Sequence, residues 1–155
     1  MGPRFSCPPH TLPASIAAFI AEHLSADSFT AYLSDPQRAL FVAEVAGEPA
    51  GYAMVVFGEP KDPDVAAVVM ARPTAELSKL YVREGFHGAG MARALAGASV
   101  QEVRDRGRVS VWLGVNQENA RANRFYEKQG FALVGTKRFL VGDRYEDDFV
   151  RALEL

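Results

Sequence analysis

Hydrophobic residues recur along the chain with two spacings, and each spacing predicts one type of element. Repeats at every third or fourth position predict amphipathic helices over residues 13–24, about 27–33, about 88–107 and about 119–130. Short apolar runs between glycines, prolines and charged residues predict strands. These runs cover residues 40–45, 50–57, 76–82, 108–115, 131–141 and 144–153.

Helical and extended segments follow one another along the chain, which predicts an α/β layered fold in a single domain spanning residues 1–155. We expect a mixed, mostly antiparallel central sheet of about six or seven strands, flanked by about four helices. Residues 1–12 are rich in proline and predict an irregular lead-in. Residues 58–74 predict a loop with a little extended structure near 66–70.

The stretch from Glu76 to Ala92 carries the pattern from which the functional interpretation of the chain starts. A buried strand over 76–82 leads through a turn containing Gly88 and Gly90 into a helix. This order directs unpaired backbone N–H groups, and the positive end of a helix dipole, at one point that suits an anion. Glycine matters there because a Cβ would hold a phosphate away from the backbone. The alternative is a tight turn that binds no ligand.

Two other phosphate-binding classes fit this turn poorly. No Gly-Lys-Ser/Thr follows it, which excludes a Walker-type loop. A dinucleotide fingerprint requires Gly or Ala where Arg93 stands, and the next strand ends at Val115-Asn116 without the carboxylate that binds ribose. A dinucleotide-dependent oxidoreductase is thus a weaker rival interpretation. It predicts NAD binding without coenzyme A binding.

Composition narrows the class of protein further. The chain has 155 residues, of which 48% are hydrophobic, and a net charge of −2, which suits one domain with a core and argues against a non-specific nucleic-acid binder. Cys7 is the one cysteine, so no disulfide forms within the chain, and a cytoplasmic protein is the simplest interpretation. No apolar run approaches the roughly 20 residues of a membrane span, no signal peptide is visible, and no metal site is predicted.

A second motif lies downstream, over residues 119–131, and reads NARANRFYEKQGF. Together with the glycine turn it resembles the GNAT superfamily of acyl-CoA-dependent N-acetyltransferases. That family carries Gln/Arg-Gly-x-Gly-x-Gly/Ala, matched by residues 87–92, before Asn-x-x-Ala-x-x-Phe/Leu-Tyr-x-x-x-Gly-Phe. The resemblance covers about residues 40–155. Within the family it is closest to bacterial spermidine/spermine-type acetyltransferases, through residues 75–82, 134–136 and 141–149.

The chain departs from the family pattern in two places. His87 stands where the family has Gln or Arg, and it would be a weaker, pH-dependent partner for a phosphate. The family also begins with a strand and a helix, so the first strand is here either absent or formed by residues 1–7.

The resemblance implies that acetyl-CoA is the cosubstrate, with the strand end along its pantetheine arm and the glycine turn at its pyrophosphate. The implied cofactor-binding residues are Leu80, Tyr81, Val82, His87, Gly88, Ala89, Gly90, Met91, Ala92, Asn119 and Tyr126. The side chains of Leu80 and Val82 also suit core packing, and His87 also suits an exposed loop. Asn119 is either a helix cap alone or a cap that also hydrogen-bonds the cofactor, and Asn116 is the alternative cap.

Two residues are candidates for catalysis. Acyl transfer expels a thiolate, and Tyr126, with an ordinary tyrosine pKa near ~10, is able to protonate it. The alternative for Tyr126 is core packing beside Phe125. The acceptor amine must lose a proton, and Glu76 is the candidate that takes it, directly or through water. The alternative for Glu76 is a surface or hydrogen-bonding carboxylate.

The expected acceptor is a primary amine of a small molecule, polyamine-like or otherwise, or of a peptide. No nucleic-acid or membrane partner is expected, and a homodimer is compatible with the family. Direct transfer in a ternary complex is expected, because Cys7 lies in no recognisable nucleophile site. Glu146, Asp147 and Asp148 either attract a polycation or form a solvated hairpin flank. The rival from another class is a non-catalytic acyl-CoA-binding or sensing domain on the same scaffold.

Overall fold

The structure is a computed structural model that describes residues 4–6, 35–86 and 90–155. Its strands are β1 (Arg4–Ser6), β2 (Arg38–Val45), β3 (Glu48–Phe57), β4 (Thr74–Val82), β5 (Ser110–Asn116), β6 (Ala132–Val141) and β7 (Arg144–Glu154). The helices within these ranges are α1 (Pro63–Ala66), α2 (Met91–Asp105) and α3 (Ala120–Lys128). None of these helices is long and apolar enough to cross a membrane.

The predicted α/β class with a mixed, mostly antiparallel sheet is confirmed. Seven strands are hydrogen-bonded in the order β1-β2-β3-β4-β5-β7-β6. β4 and β5 pair in parallel, whereas β1–β2, β2–β3, β5–β7 and β6–β7 are antiparallel pairs. Two of the four predicted helices, over 13–24 and 27–33, lie outside the described residues, and the other two correspond to α2 and α3.

Two expectations about irregular segments need correction. The alternative in which the first strand is absent is wrong, because Arg4–Ser6 pairs with β2, with Ser6 opposite Val42. Three residues are too few to show a hydrophobic alternation, so the partner strand reveals what the sequence does not. The extended structure expected near 66–70 is also wrong, because α1 ends at Ala66 and a turn follows at residues 67–68. Asp62 caps this helix by accepting a hydrogen bond from the Asp64 N–H at 2.9 Å.

The chain divides into two compact units, each with its own buried residues. The first comprises Met1–Val56 and Leu77–Glu102. Its β2–β3 hairpin turns at Ala46-Gly47, where both residues have positive φ angles of 53° and 82°, as the tight turns of hairpins require. Buried side chains of β2, β3 and α2 include Val42, Met54, Val55, Met91 and Leu95.

Gly51 allows the backbone of β3 to come close to the end of β4. A Cβ on Gly51 would stand 2.5 Å from the Tyr81 carbonyl oxygen and 3.2 Å from the Val82 Cα. No side chain fits that space, so any larger residue would force the two strands apart. Just beyond β4, the Arg83 N–H donates a hydrogen bond to the Ala50 carbonyl at 2.7 Å. The backbone around Tyr81 is therefore closely held by its neighbouring strand.

The second unit comprises Phe57–Glu76 and Val103–Leu155, and its sheet has two distinct faces. Residues directly opposite one another on paired strands share a face. The tryptophan face carries Glu76, Trp112, Gly114, Asn116, Lys137, Glu146, Asp148 and Val150. The helix face carries Leu113, Asp147, Phe149 and Arg151, and it contacts α3 through Arg151. Val65 and Val69 pack on Trp112 and Val150, so they cover one end of the tryptophan face, whereas Gly114 remains exposed.

Candidate functional site

The end of β4 carries the first group of predicted site residues. Val82 is buried, while Leu80 and Tyr81 are half-buried, so the core-packing alternative holds for the Val82 side chain. The Tyr81 ring lies 5.8 Å from the Tyr52 ring, between centroids. This strand end presents a line of backbone N–H and C=O groups held close to the neighbouring strand, which suits the predicted contact with an extended pantetheine arm.

The glycine turn is described only from Gly90 onward, and His87, Gly88 and Ala89 lie outside the described residues. Gly90 has a positive φ of 75°, and its carbonyl accepts a hydrogen bond from the Ala94 N–H at 3.0 Å as α2 begins. Met91 is 3% exposed and anchors the first turn. The opening N–H groups of a helix have no intrahelical acceptor, and no atom of a described residue lies within 4 Å of the position that a Gly90 Cβ would take. This backbone fits a diphosphate.

The start of α3 confirms one local prediction. The Asn119 side chain caps the helix by accepting a hydrogen bond from the Ala122 N–H at 3.1 Å. The alternative cap, Asn116, instead accepts from the Glu118 N–H at 2.9 Å and fixes the turn before the helix. The cap uses the carbonyl oxygen of the Asn119 amide and leaves its NH₂ group directed to no described residue. That group is the one available for the predicted contact with the cofactor.

Tyr126 lies on α3 in an aromatic environment. Its ring meets Phe125 and Phe131 edge-on, with centroid distances of 5.3 Å and 5.9 Å. Burial raises the pKa of the Tyr126 phenol above its ordinary value. The phenol therefore keeps its proton throughout the physiological pH range, and within the described part of the chain its hydroxyl has no hydrogen-bond partner. Packing and proton donation are both compatible with this position.

A buried hydrogen-bond network holds α3 on the sheet, and sequence reasoning missed it. The Asn123 carboxamide donates to the carbonyls of Asn116 and Asn119 at 3.1 Å and 2.9 Å, and accepts from Arg151 Nε at 3.0 Å. Arg151, only 7% exposed, also donates to the Phe131 carbonyl at 3.1 Å. The sequence feature that indicates Arg151 is its position between Phe149 and Leu153, which lie on the same face of β7. The network fixes where α3, and hence Tyr126, lies on the strands of this unit.

We expect Asn123→Ala to lower the free energy of unfolding by about 1–3 kcal/mol, because it leaves the buried Arg151 Nε–H without its acceptor and removes a second donor from the Asn116 and Asn119 carbonyls, which keep their backbone donors. Urea titration measures this loss. The matched control is Arg124→Ala, since Arg124 is the exposed neighbour on the same helix. Equal stability of the two variants would show that the network contributes nothing.

Glu76 lies on the opposite face of the sheet from α3. It pairs with Trp112 across β4 and β5, is half-buried, and forms an interaction within the structure. The predicted residues are thus distributed as follows: Glu76, Asn119 and Tyr126 belong to the second unit, and Leu80 to Val82 with Gly90 to Ala92 belong to the first. Within the second unit, the candidate proton acceptor and the helix that bears the candidate proton donor lie on opposite sides of the sheet.

Known proteins resemble this chain in sequence and identify its family. A model of the acetyltransferase (GNAT) family matches residues 8–131. An uncharacterized N-acetyltransferase of Mycobacterium tuberculosis is 43% identical over 150 residues, which covers 97% of this chain and 88% of the relative. Another, from Lactobacillus delbrueckii, is 24% identical over 138 residues, or 89% of this chain and 77% of the relative.

Solved structures share the fold at lower identity. A GNAT family acetyltransferase of Elizabethkingia anophelis with acetyl-CoA bound has a TM-score of 0.68 at 17% identity, with 99% of each chain covered. The ribosomal-protein-alanine N-acetyltransferase of Brucella melitensis has a TM-score of 0.75 at 22% identity, with 100% of each chain covered. Fold, motifs and relatives coincide: the chain belongs to the GNAT acetyltransferase family and is an N-acetyltransferase that uses acetyl-CoA.

Proposed function

We propose that this enzyme transfers the acetyl group of acetyl-CoA to a primary amine of a small molecule or peptide, directly and within a ternary complex. The whole chain, residues 1–155, serves as one catalytic domain. The observation that carries the proposal is the half-buried phenol of Tyr126, which meets Phe125 and Phe131 edge-on, on a helix held by its cap and a hydrogen-bond network. Structural neighbours described as acting on nourseothricin or on a ribosomal-protein alanine support both kinds of acceptor.

The cosubstrate is assigned to the backbone groups that suit it. Leu80, Tyr81 and Val82 line its pantetheine arm with their N–H and C=O groups, and residues 87–92 bind its diphosphate through the N–H groups that open α2. The amide NH₂ of Asn119 donates a hydrogen bond to the arm. A helix N-terminus favours an anion by both its dipole and its free donors, which supports the second assignment.

Two proton transfers remain for the side chains. An ammonium with pKa near ~10.4 is neutral in only about one molecule in ~2,500 at pH 7, which costs roughly 4.6 kcal/mol. Glu76 takes one proton of the bound ammonium, and the neutral amine forms the C–N bond at the thioester carbon. Tyr126 gives its own proton to the sulfur as the C–S bond breaks, and the second proton that the nitrogen loses returns to Tyr126 through water. The remainder of the rate enhancement comes from holding the amine against the thioester carbon.

A thiol-release assay across a panel of amines tests the proposal. The panel holds monoamines, diamines, amino acids, aminoglycosides and peptides, each paired with its N-acetylated form as a control. We expect free coenzyme A to appear only with an unblocked amine, and initial-velocity lines for the two substrates to intersect, as a ternary complex requires. Acetyl-CoA binding by calorimetry with no thiol release on any amine would instead favour the non-catalytic rival.

A further inference from the structure

We propose that the tryptophan face binds a second cationic group of the acceptor at Asp148, so that the preferred acceptor is a long diamine rather than a monoamine. The inference rests on the proposed function, because it identifies the substrate class of the same reaction. Its evidence is the environment of one buried carboxylate and of the lysine beside it.

Asp148 behaves differently from the two acidic residues that precede it. Asp147 is on the helix face, where it forms an exposed ion pair with Arg138 at 3.2 Å. Glu146 accepts a hydrogen bond from the Asn116 amide at 3.4 Å. Asp148 is only 9% exposed, and its Oδ1 has no hydrogen-bond partner among the described residues. Buried carboxylate oxygens are nearly always paired, so this one lacks a donor that a ligand can supply.

Gly114 and Lys137 define the space beside this carboxylate. A Cβ on Gly114 would stand 2.7 Å from Lys137 Cε, and 3.3 Å from both Lys137 Nζ and Asp148 Oδ2. The aliphatic part of the Lys137 side chain therefore lies over the exposed Gly114. Any other residue at position 114 would place its own side chain in that space. Lys137 Nζ is also 6.0 Å from the centroid of the Trp112 ring. A carboxylate and an indole face are together the groups that recognise an ammonium ion.

Lys137 thus shows where an external ammonium ion can bind. Its side chain is half-buried and has a flexible stem, which can turn toward solvent when another cation takes its place. Burial raises the pKa of Asp148, the Lys137 ammonium opposes that rise, and Glu146 and Asp147 add to it. An acceptor cation that brings N–H donors would pair the unsatisfied oxygen and favour the charged carboxylate. Binding therefore relieves an unfavourable feature of the unliganded protein.

The distance between Glu76 and Asp148 determines how long the acceptor must be. Glu76 is level with Trp112, whereas Asp148 is level with Asn116, two strands away from β4 and four residues further along β5. Ordinary sheet dimensions place the two Cα atoms roughly 16 Å apart, and the two side chains shorten the gap that a substrate must span. A long diamine can reach both carboxylates, and a short one cannot.

The experiment compares diaminooctane with octylamine, and diaminobutane with butylamine. We expect the wild-type enzyme to favour diaminooctane over octylamine by about tenfold or more in kcat/KM, the effect of one charge-assisted contact, and to show no such preference between the short pair. Asp148→Asn should raise KM for diaminooctane by about tenfold while the kinetics with octylamine stay unchanged. Lys137→Met should lower KM for diaminooctane, because the internal cation is gone. Asp147→Asn, on the other face, is the matched control and should change neither.

Stability gives a second readout that separates recognition from a structural role. Because burial raises the folded-state pKa of Asp148, its charged form is disfavoured in the fold, and this penalty is present above that pKa and absent below the unfolded value. The charged groups that act on it are Lys137 and Glu146 on the same face and the adjacent Asp147 on the other. Asp148→Asn should therefore raise Tm at neutral pH, and the gain should disappear in acid. A residue that only held the fold together would instead lower Tm when replaced.

The possible failures are distinguishable. Equal kcat/KM for diaminooctane and octylamine in the wild-type enzyme overturns this inference and leaves the proposed function intact. If no amine releases thiol, calorimetry with diaminooctane decides the inference alone. Binding that is absent with octylamine and lost in Asp148→Asn supports the site, whereas equal binding by wild type and variant overturns it.

Discussion

Tyr126→Phe is expected to lower kcat by roughly 10²–10⁴-fold, the usual contribution of a placed general acid, while the Kd for acetyl-CoA stays close to that of the wild-type enzyme. The substitution removes the phenol oxygen but keeps the ring that packs edge-on against Phe125 and Phe131. Stability should therefore change little. Steady-state kinetics measure kcat, and calorimetric titration with acetyl-CoA measures the affinity.

The control for this prediction is Tyr145→Phe, which removes a phenol that is 65% exposed and should leave kcat unchanged. The pH profile supplies an independent check. Because burial raises the pKa of Tyr126, the alkaline loss of kcat in the wild-type enzyme should begin above the ordinary tyrosine value. A wild-type kcat in Tyr126→Phe would assign this residue to packing alone.

Glu76→Gln is expected to lower kcat/KM at neutral pH by about 10²–10⁴-fold, because glutamine keeps the shape of the side chain but takes no proton. The variant then depends on the fraction of amine that is already neutral in solution. Its kcat/KM should rise about tenfold per pH unit until it approaches the pKa of the free amine near ~10.4. A pH titration of kcat/KM for both enzymes makes the comparison.

Glu118→Gln is the control for that experiment, because Glu118 is an exposed carboxylate in the turn before α3. It should reproduce the wild-type profile. If Glu76→Gln also does so, the carboxylate of Glu76 serves only the interaction it already makes in the structure, and another group or water takes the proton.

Most strands and helices were predictable because each rests on a local pattern. The apolar run that predicted a strand over 50–57 belongs to β3, and the predicted cap at Asn119 is the observed one, since its acceptor and donor are three residues apart. Gly90 drew attention because a Cβ there would hold a phosphate away from the backbone, and the structure adds that its φ is positive. Such features depend on residues that are close together in the chain, so they can be predicted from the sequence.

Site details that depend on distant partners were not predictable in this way. The pair of Asn123 and Arg151 joins residues 28 positions apart, and β1 is recognisable only beside β2. The run of Glu146, Asp147 and Asp148 is three like residues in the sequence. Strand register divides it, with one carboxylate buried on the tryptophan face and another paired in solvent on the helix face. The likeness to polyamine acetyltransferases stays a prediction.

By itself, the sequence determined the order of strands and helices, the caps, and the family through its glycine turn and its tyrosine helix. Hydrophobic periodicity, glycine turns and short-range hydrogen bonds each involve only a few neighbouring residues, so they can be predicted without knowing the fold. The tertiary structure alone decided that a buried carboxylate oxygen has no donor among the described residues, that a lysine lies across Gly114 beside it, and that burial raises the pKa of a phenol. These properties arise from removing water by packing strands that are far apart in the chain, and no local pattern encodes that packing.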